Sequence, residues 1–169
     1  MRKPSISAKY ITLSAIIAAL YAAITLLFAP ISYGPVQFRI SEALTLLPVL
    51  FPQAIPGLTL GCLIANLLGS ATPWDVIFGT LATLLAALLT RRWRKNLWLA
   101  AAAPVLCNAI IIGVVLHFTL ADALLIPTIL SVGLGEAVVV YALGISMIMA
   151  FKRSPKMLQF AEDPKQIVK

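Results

Sequence analysis

Three ionisable residues stand inside stretches where a chain this apolar should not carry them. Arg39 and Glu42 lie in Gly34-Pro35-Val36-Gln37-Phe38-Arg39-Ile40-Ser41-Glu42-Ala43-Leu44, and Glu136 lies in Ser131-Val132-Gly133-Leu134-Gly135-Glu136-Ala137-Val138. A charge at the centre of a bilayer costs about 2.5–3.5 kcal/mol on insertion scales, so such residues face a bundle interior and serve a ligand or a pathway. The competing reading of Glu136 is a structural hydrogen bond to another helix. Gly133 and Gly135 thin the same helix, so that a neighbour or a ligand can come close.

Further candidates follow from residue type and place. Asn66 and Asn108 are amides within apolar runs, suited to interhelical bonding or to ligand contact. His117 stands near the end of a run, and no second histidine exists to build a metal site with it. Thr72-Pro73-Trp74-Asp75 reads as a helix start, with Thr72 as N-cap, Pro73 at the first helical position and Asp75 closing a capping box. Trp74 suits either a membrane interface or a stack on a flat ligand. Asp122 reads as a loop or cap residue, and Tyr10, Tyr21 and Phe28 add nothing specific.

The elements that must position these residues are membrane helices. The 169 residues are 61% hydrophobic and only 11% charged, against about 25% charged in a soluble domain. The expected fold class is an all-α membrane protein forming a single integral domain over residues 1–169. Apolar runs predict spans at about 11–30, 41–51, 54–71, 74–90, 97–118 and 124–151, then a tail over 152–169. The first run is longer than the core of a secretory signal.

Charge decides the count of spans. Arg2, Lys3 and Lys9, then Arg91, Arg92, Arg94 and Lys95, then Lys152, Arg153, Lys156, Lys165 and Lys169 flank the runs. Six spans with both termini cytoplasmic put every basic residue except Arg39 inside. Five spans would send the two later clusters out. The second helix must then be short, tilted or shielded by its neighbours. In this topology Glu42, Asp75 and Asp122 lie towards the external side, and Glu136 sits about 15 Å below it.

The net charge of +7 comes from these flanking clusters, so nucleic acid is not an expected partner. Cys62 and Cys107 lie in apolar runs and behave as small hydrophobic residues. No G-x-x-x-x-G-K-[ST] loop, H-E-x-x-H or G-x-S-x-G turn occurs, and no cofactor or metal is expected. The halves show no repeat of the kind a stand-alone carrier would want. A binding subunit that borrows energy from a partner is the expectation. Ala15, Ala19 and Ala23 repeat every four residues, as do Ala18 and Ala22, which makes a face for close helix packing.

These segments together resemble the substrate-binding S components of energy-coupling factor transporters, most closely the QueT group. The resemblance covers about 9–153 and rests on AIIAALYAAITLLFAPISYGPVQFRISEALTLLP, PGLTLGCLIANLLG, WDVIFGTLATLLAALLT and GLGEAVVVYALG. It implies a six-helix subunit of the cell membrane that works with a coupling transmembrane subunit and two ATPase subunits. It implies that the Ala15-Ala19-Ala23 stripe docks the coupling subunit. The implied substrate is a queuosine precursor, 7-aminomethyl-7-deazaguanine, held in an external pocket capped by residues 31–40. Toppling of the loaded subunit would turn that pocket to the cytoplasm. On that expectation Glu136 and Glu42 meet donor edges, Arg39 and Asn108 meet acceptors, Asp75 meets the ammonium, and Trp74 or Phe38 stacks. Another cationic vitamin such as thiamine, or a scaffold subunit without a ligand, are the alternatives.

Overall fold

The computed structural model describes residues 7–33, 37–69, 72–120 and 123–162, and Asp122 lies outside them. Among these residues every regular element is helical. Helix α1 (Ala8–Leu27) is capped by Ser7, whose side chain accepts from the Lys9 amide. The short α2 (Ala29–Ser32) carries Pro30 in its first turn. A 3-10 helix follows over Ile40–Val49, then α3 (Ala54–Leu68), α4 (Pro73–Arg92) and α5 (Leu97–Thr119). Helix α6 (Leu125–Ala137) runs through a π segment (Val138–Gly144) into α7 (Ile145–Arg153), and α8 (Pro155–Glu162) ends the described chain.

Among the described residues, four helices are long and apolar enough to cross a bilayer: Ala8–Leu27, Pro73–Arg92, Leu97–Thr119 and the continuous Leu125–Arg153. Ile40–Val49 and Ala54–Leu68 are shorter apolar helices. The first of these has unusual winding. Runs of 3-10 helix beyond three or four residues are uncommon, because the hydrogen bonds are poorer. This one has 10 residues. At about 2.0 Å of rise per residue it reaches about 20 Å, where an α-helix of that length reaches about 15 Å. Ser41, Glu42, Ala43, Thr45, Leu46, Leu47, Pro48 and Val49 are all buried within it. The segment is therefore shielded by its neighbours, and the surrounding core supplies what its strained ladder lacks.

The two alanine stripes of α1 separate cleanly. Ala18 and Ala22 are buried, while Ala15, Ala19 and Ala23 are exposed. The inner stripe exists because α3 offers glycines to it. A Cβ added at Gly61 would stand 2.8 Å from the Ala18 carbonyl oxygen and 2.8 Å from the Tyr21 Cβ. One added at Gly57 would stand 2.7 Å from the Ser14 carbonyl oxygen. Only glycine permits this approach. Ser14 strengthens the same contact by donating to the Gln53 carbonyl at 2.9 Å.

Candidate functional site: a buried carboxylate cluster

The polar interior is assembled from helices of two abnormal windings. Glu42 lies in the first turn of the 3-10 helix. Glu136 is the second-last residue of α6, immediately before the π segment. π-turns inside α-helices are frequent at functional sites, because the widened turn re-aims side chains. The two segments pack on one another, and a Cβ at Gly144 would meet the Ala43 carbonyl oxygen at 3.1 Å. This close pairing brings the two carboxylates into one neighbourhood.

Glu42 is 1% exposed and Glu136 is 3% exposed. Asn108, on α5, donates through Nδ2 to Glu136 Oε1 at 2.9 Å. Glu42 lies close enough to Glu136 and Asn108 for the three side chains to act on one another, and the Arg39 charge reaches both carboxylates. Tyr21 donates its hydroxyl to Glu42 Oε1. Arg39 does not turn back on Glu42 for its hydrogen bond: its Nε donates to the Ser32 carbonyl at 3.2 Å, and its guanidinium lies 5.1 Å over the Tyr33 ring. Tyr33 in turn donates to the Ala65 carbonyl at 2.7 Å, at the end of α3. The Thr25 and Ser41 hydroxyls, 2.6 Å apart, pin the start of the 3-10 helix to α1.

A second polar group lies where α3 meets α4. Thr72 and Asp75 form the capping box: Asp75 Oδ2 accepts from the Thr72 amide and hydroxyl, and Thr72 Oγ1 accepts from the Asp75 amide. Asn66 donates to the Asp75 carbonyl at 3.1 Å and rests against Gly79. Glu42 Oε2, Asn66 Oδ1 and Asp75 Oδ1 are buried oxygens that accept no hydrogen bond from the described residues. Such groups are rare, and each costs about 1–3 kcal/mol when left unmade. All three are acceptors, so what they lack is donors.

Of the residues singled out in the sequence, the structure thus gathers Arg39, Glu42, Asn108 and Glu136, and pairs Asn66 with Asp75. Trp74 is 57% exposed and stacks on Phe78 at 6.1 Å. It borders an apolar cavity of about 570 Å³ between α4 and α5, with Ile111, Val115 and Phe118 on its walls. His117 Nδ1 lies 2.6 Å from the Ala123 carbonyl oxygen, so it ties the end of α5 to the following loop. Tyr21 is the residue that sequence reasoning passed over. The available signal was its face: Ser14, Ala18, Tyr21, Ala22 and Thr25 share one side of α1, and a polar-and-small side of an apolar helix turns inward.

The sequence matches the family described as QueT transporter over residues 11–153. It is 43% identical over 88 residues to the protein named queuosine precursor transporter QueT of Lactococcus lactis subsp. cremoris (strain MG1363). That stretch covers 48% of this chain and 52% of the relative, so the likeness spans about half of each. No solved structure matches. A family match that covers most of the chain carries the assignment: this chain belongs to the QueT transporter family.

Proposed function

We propose that the chain is the membrane-embedded substrate-binding subunit of an ATP-driven importer of the energy-coupling factor type, and that it captures 7-aminomethyl-7-deazaguanine. In this reading the four long and two shorter apolar helices make six spans of the cell membrane, with both termini cytoplasmic. The observation that carries the substrate reading is the count of buried ionisable groups. Two buried carboxyl groups, Glu42 and Glu136, stand with one buried guanidinium, Arg39. A cationic ligand would hold both carboxyl groups in the ionised form, and its N–H edges would supply donors to the unpartnered acceptors. The deazaguanine ring offers such donors at N1 and the exocyclic amine, and its aminomethyl group is an ammonium.

A thermal-shift panel on purified protein in detergent tests this reading. 7-Aminomethyl-7-deazaguanine should raise the melting temperature; guanine and riboflavin should not. A shift with thiamine alone would keep a pocket for a cation and replace the substrate. No shift with any deazapurine would sink the proposal.

The exposed Ala15-Ala19-Ala23 stripe is the proposed docking face for the coupling transmembrane subunit, with two ATPase subunits behind it. Ala19→Leu adds bulk outside the fold. It should leave melting and ligand binding unchanged and reduce co-purification with the coupling subunit severalfold. Unchanged co-purification would refute the docking role.

A further inference from the structure

The end of the bundle where α4 and α7 finish carries a feature that the substrate site does not use. Arg91, Arg94, Lys95 and Lys152 surround a cavity of about 440 Å³, with Leu50 and Leu158 among its apolar walls. Three elements supply the cations: the last turn of α4, the turn after it and the last turn of α7. No carboxylate lines this cavity among the described residues. The cations crowd one another, with Arg94 close enough to Arg91 to repel it. Arg91 is fixed in place, since its Nη1 donates to the Pro48 carbonyl at 3.0 Å and the Val49 carbonyl at 3.2 Å, at the end of the 3-10 helix.

The surroundings belong to a membrane surface. α8 lays Met157, Leu158 and Ala161 half-buried against the bundle while Lys152, Arg153 and Lys156 stay exposed. Phe160 of α8 packs on Phe51 with ring centroids 6.1 Å apart. This is the arrangement of an interfacial helix. Near the start of α5, Trp98 stacks on Tyr141 at 5.7 Å and is 67% exposed, as aromatic belt residues are.

We infer that this basic cavity binds the phosphate of an anionic phospholipid headgroup. The shared chemistry with a free phosphate is the anion; the apolar walls of Leu50 and Leu158 are what favour the lipid, because they give its acyl chains a surface beside the charges. Basic pockets between membrane helices hold anionic headgroups in this way. The bound lipid neutralises repulsion among the cations and clamps α4, α7 and the end of the 3-10 helix together.

The test is a thermal-shift titration of the delipidated full-length protein in neutral detergent. The probes are phosphatidylglycerol, phosphatidylcholine and inorganic phosphate. Phosphatidylglycerol should stabilise the protein saturably, and the other two should not. The variant Arg94→Gln/Lys95→Gln/Lys152→Gln removes three exposed charges and keeps the Arg91 bonds, so it should fold. At about a fivefold loss per charge near a lipid surface, three removals should weaken the phosphatidylglycerol midpoint by about a hundredfold. Equal stabilisation by phosphatidylcholine would make the effect one of acyl chains alone. Equal stabilisation by inorganic phosphate would assign the site to a free anion. A variant that keeps the wild-type midpoint would remove the cations from the site, and if it instead lost its coupling subunit the cavity would be a protein contact. Each of these results overturns the inference.

Discussion

Glu136→Gln is expected to weaken capture of 7-aminomethyl-7-deazaguanine by about ten- to hundredfold while the empty protein melts no lower than wild type. The glutamine oxygen can still accept from Asn108 Nδ2, so the link between α5 and α6 survives. The fold loses an ionisable group that the interior of the bundle holds at a cost. The ligand loses a charge-assisted bond, which is worth about 1.5–3 kcal/mol. Stability and affinity therefore move apart. Calorimetric titration and thermal unfolding of the same preparation read the two effects. If affinity stays at the wild-type value, Glu136 only ties helices together, and the scaffold reading gains.

Gly61→Ala is expected to cost about 1–3 kcal/mol of stability, the range for forcing a methyl group into a packed core. Its Cβ would stand 2.8 Å from the Ala18 carbonyl oxygen, which is backbone and cannot swing aside. The same methyl would press on the Tyr21 Cβ at 2.8 Å, and Tyr21 holds Glu42. Ligand affinity should therefore fall with stability, in contrast to the exposed-stripe variant Ala19→Leu, where neither changes. Thermal unfolding in detergent checks the first effect and titration the second. A Gly61→Ala protein with unchanged melting would show that α1 and α3 do not need this contact.

Much of this architecture is legible from residue type because a bilayer leaves little choice. The lone charges Arg39, Glu42 and Glu136 stand out against apolar runs, and burial is their common outcome. The capping box at Thr72 and Asp75 is legible because its chemistry is local. The winding of Ile40–Val49 is not. Short apolar runs carry no mark that separates 3-10 from α-helix, and the choice is made by what packs around them. The π segment after Glu136 is hidden for the same reason. Tyr21 escaped attention because a tyrosine in an apolar helix is ordinary until its hydroxyl has a partner. That partner, Glu42, is 21 residues away and meets it only through the fold. Arg39 and Glu42 stand three residues apart, yet their hydrogen bonds diverge: Arg39 goes to the Ser32 carbonyl and the Tyr33 ring, and Glu42 to Tyr21. Trp74, a stacking candidate by type, points to the apolar cavity beside Phe78.

The central claim is that a buried cluster of Arg39, Glu42, Asn108 and Glu136, with two carboxyl groups to one guanidinium, receives a cationic ligand. The most direct measurement compares two ligands of one ring and different charge on the wild-type protein. Calorimetry with 7-aminomethyl-7-deazaguanine and with 7-cyano-7-deazaguanine isolates the ammonium. The account predicts one-to-one binding of the aminomethyl compound, at least about tenfold tighter than the cyano compound, as one charge-assisted contact requires. Equal affinities, or tighter binding of the cyano compound, would contradict it.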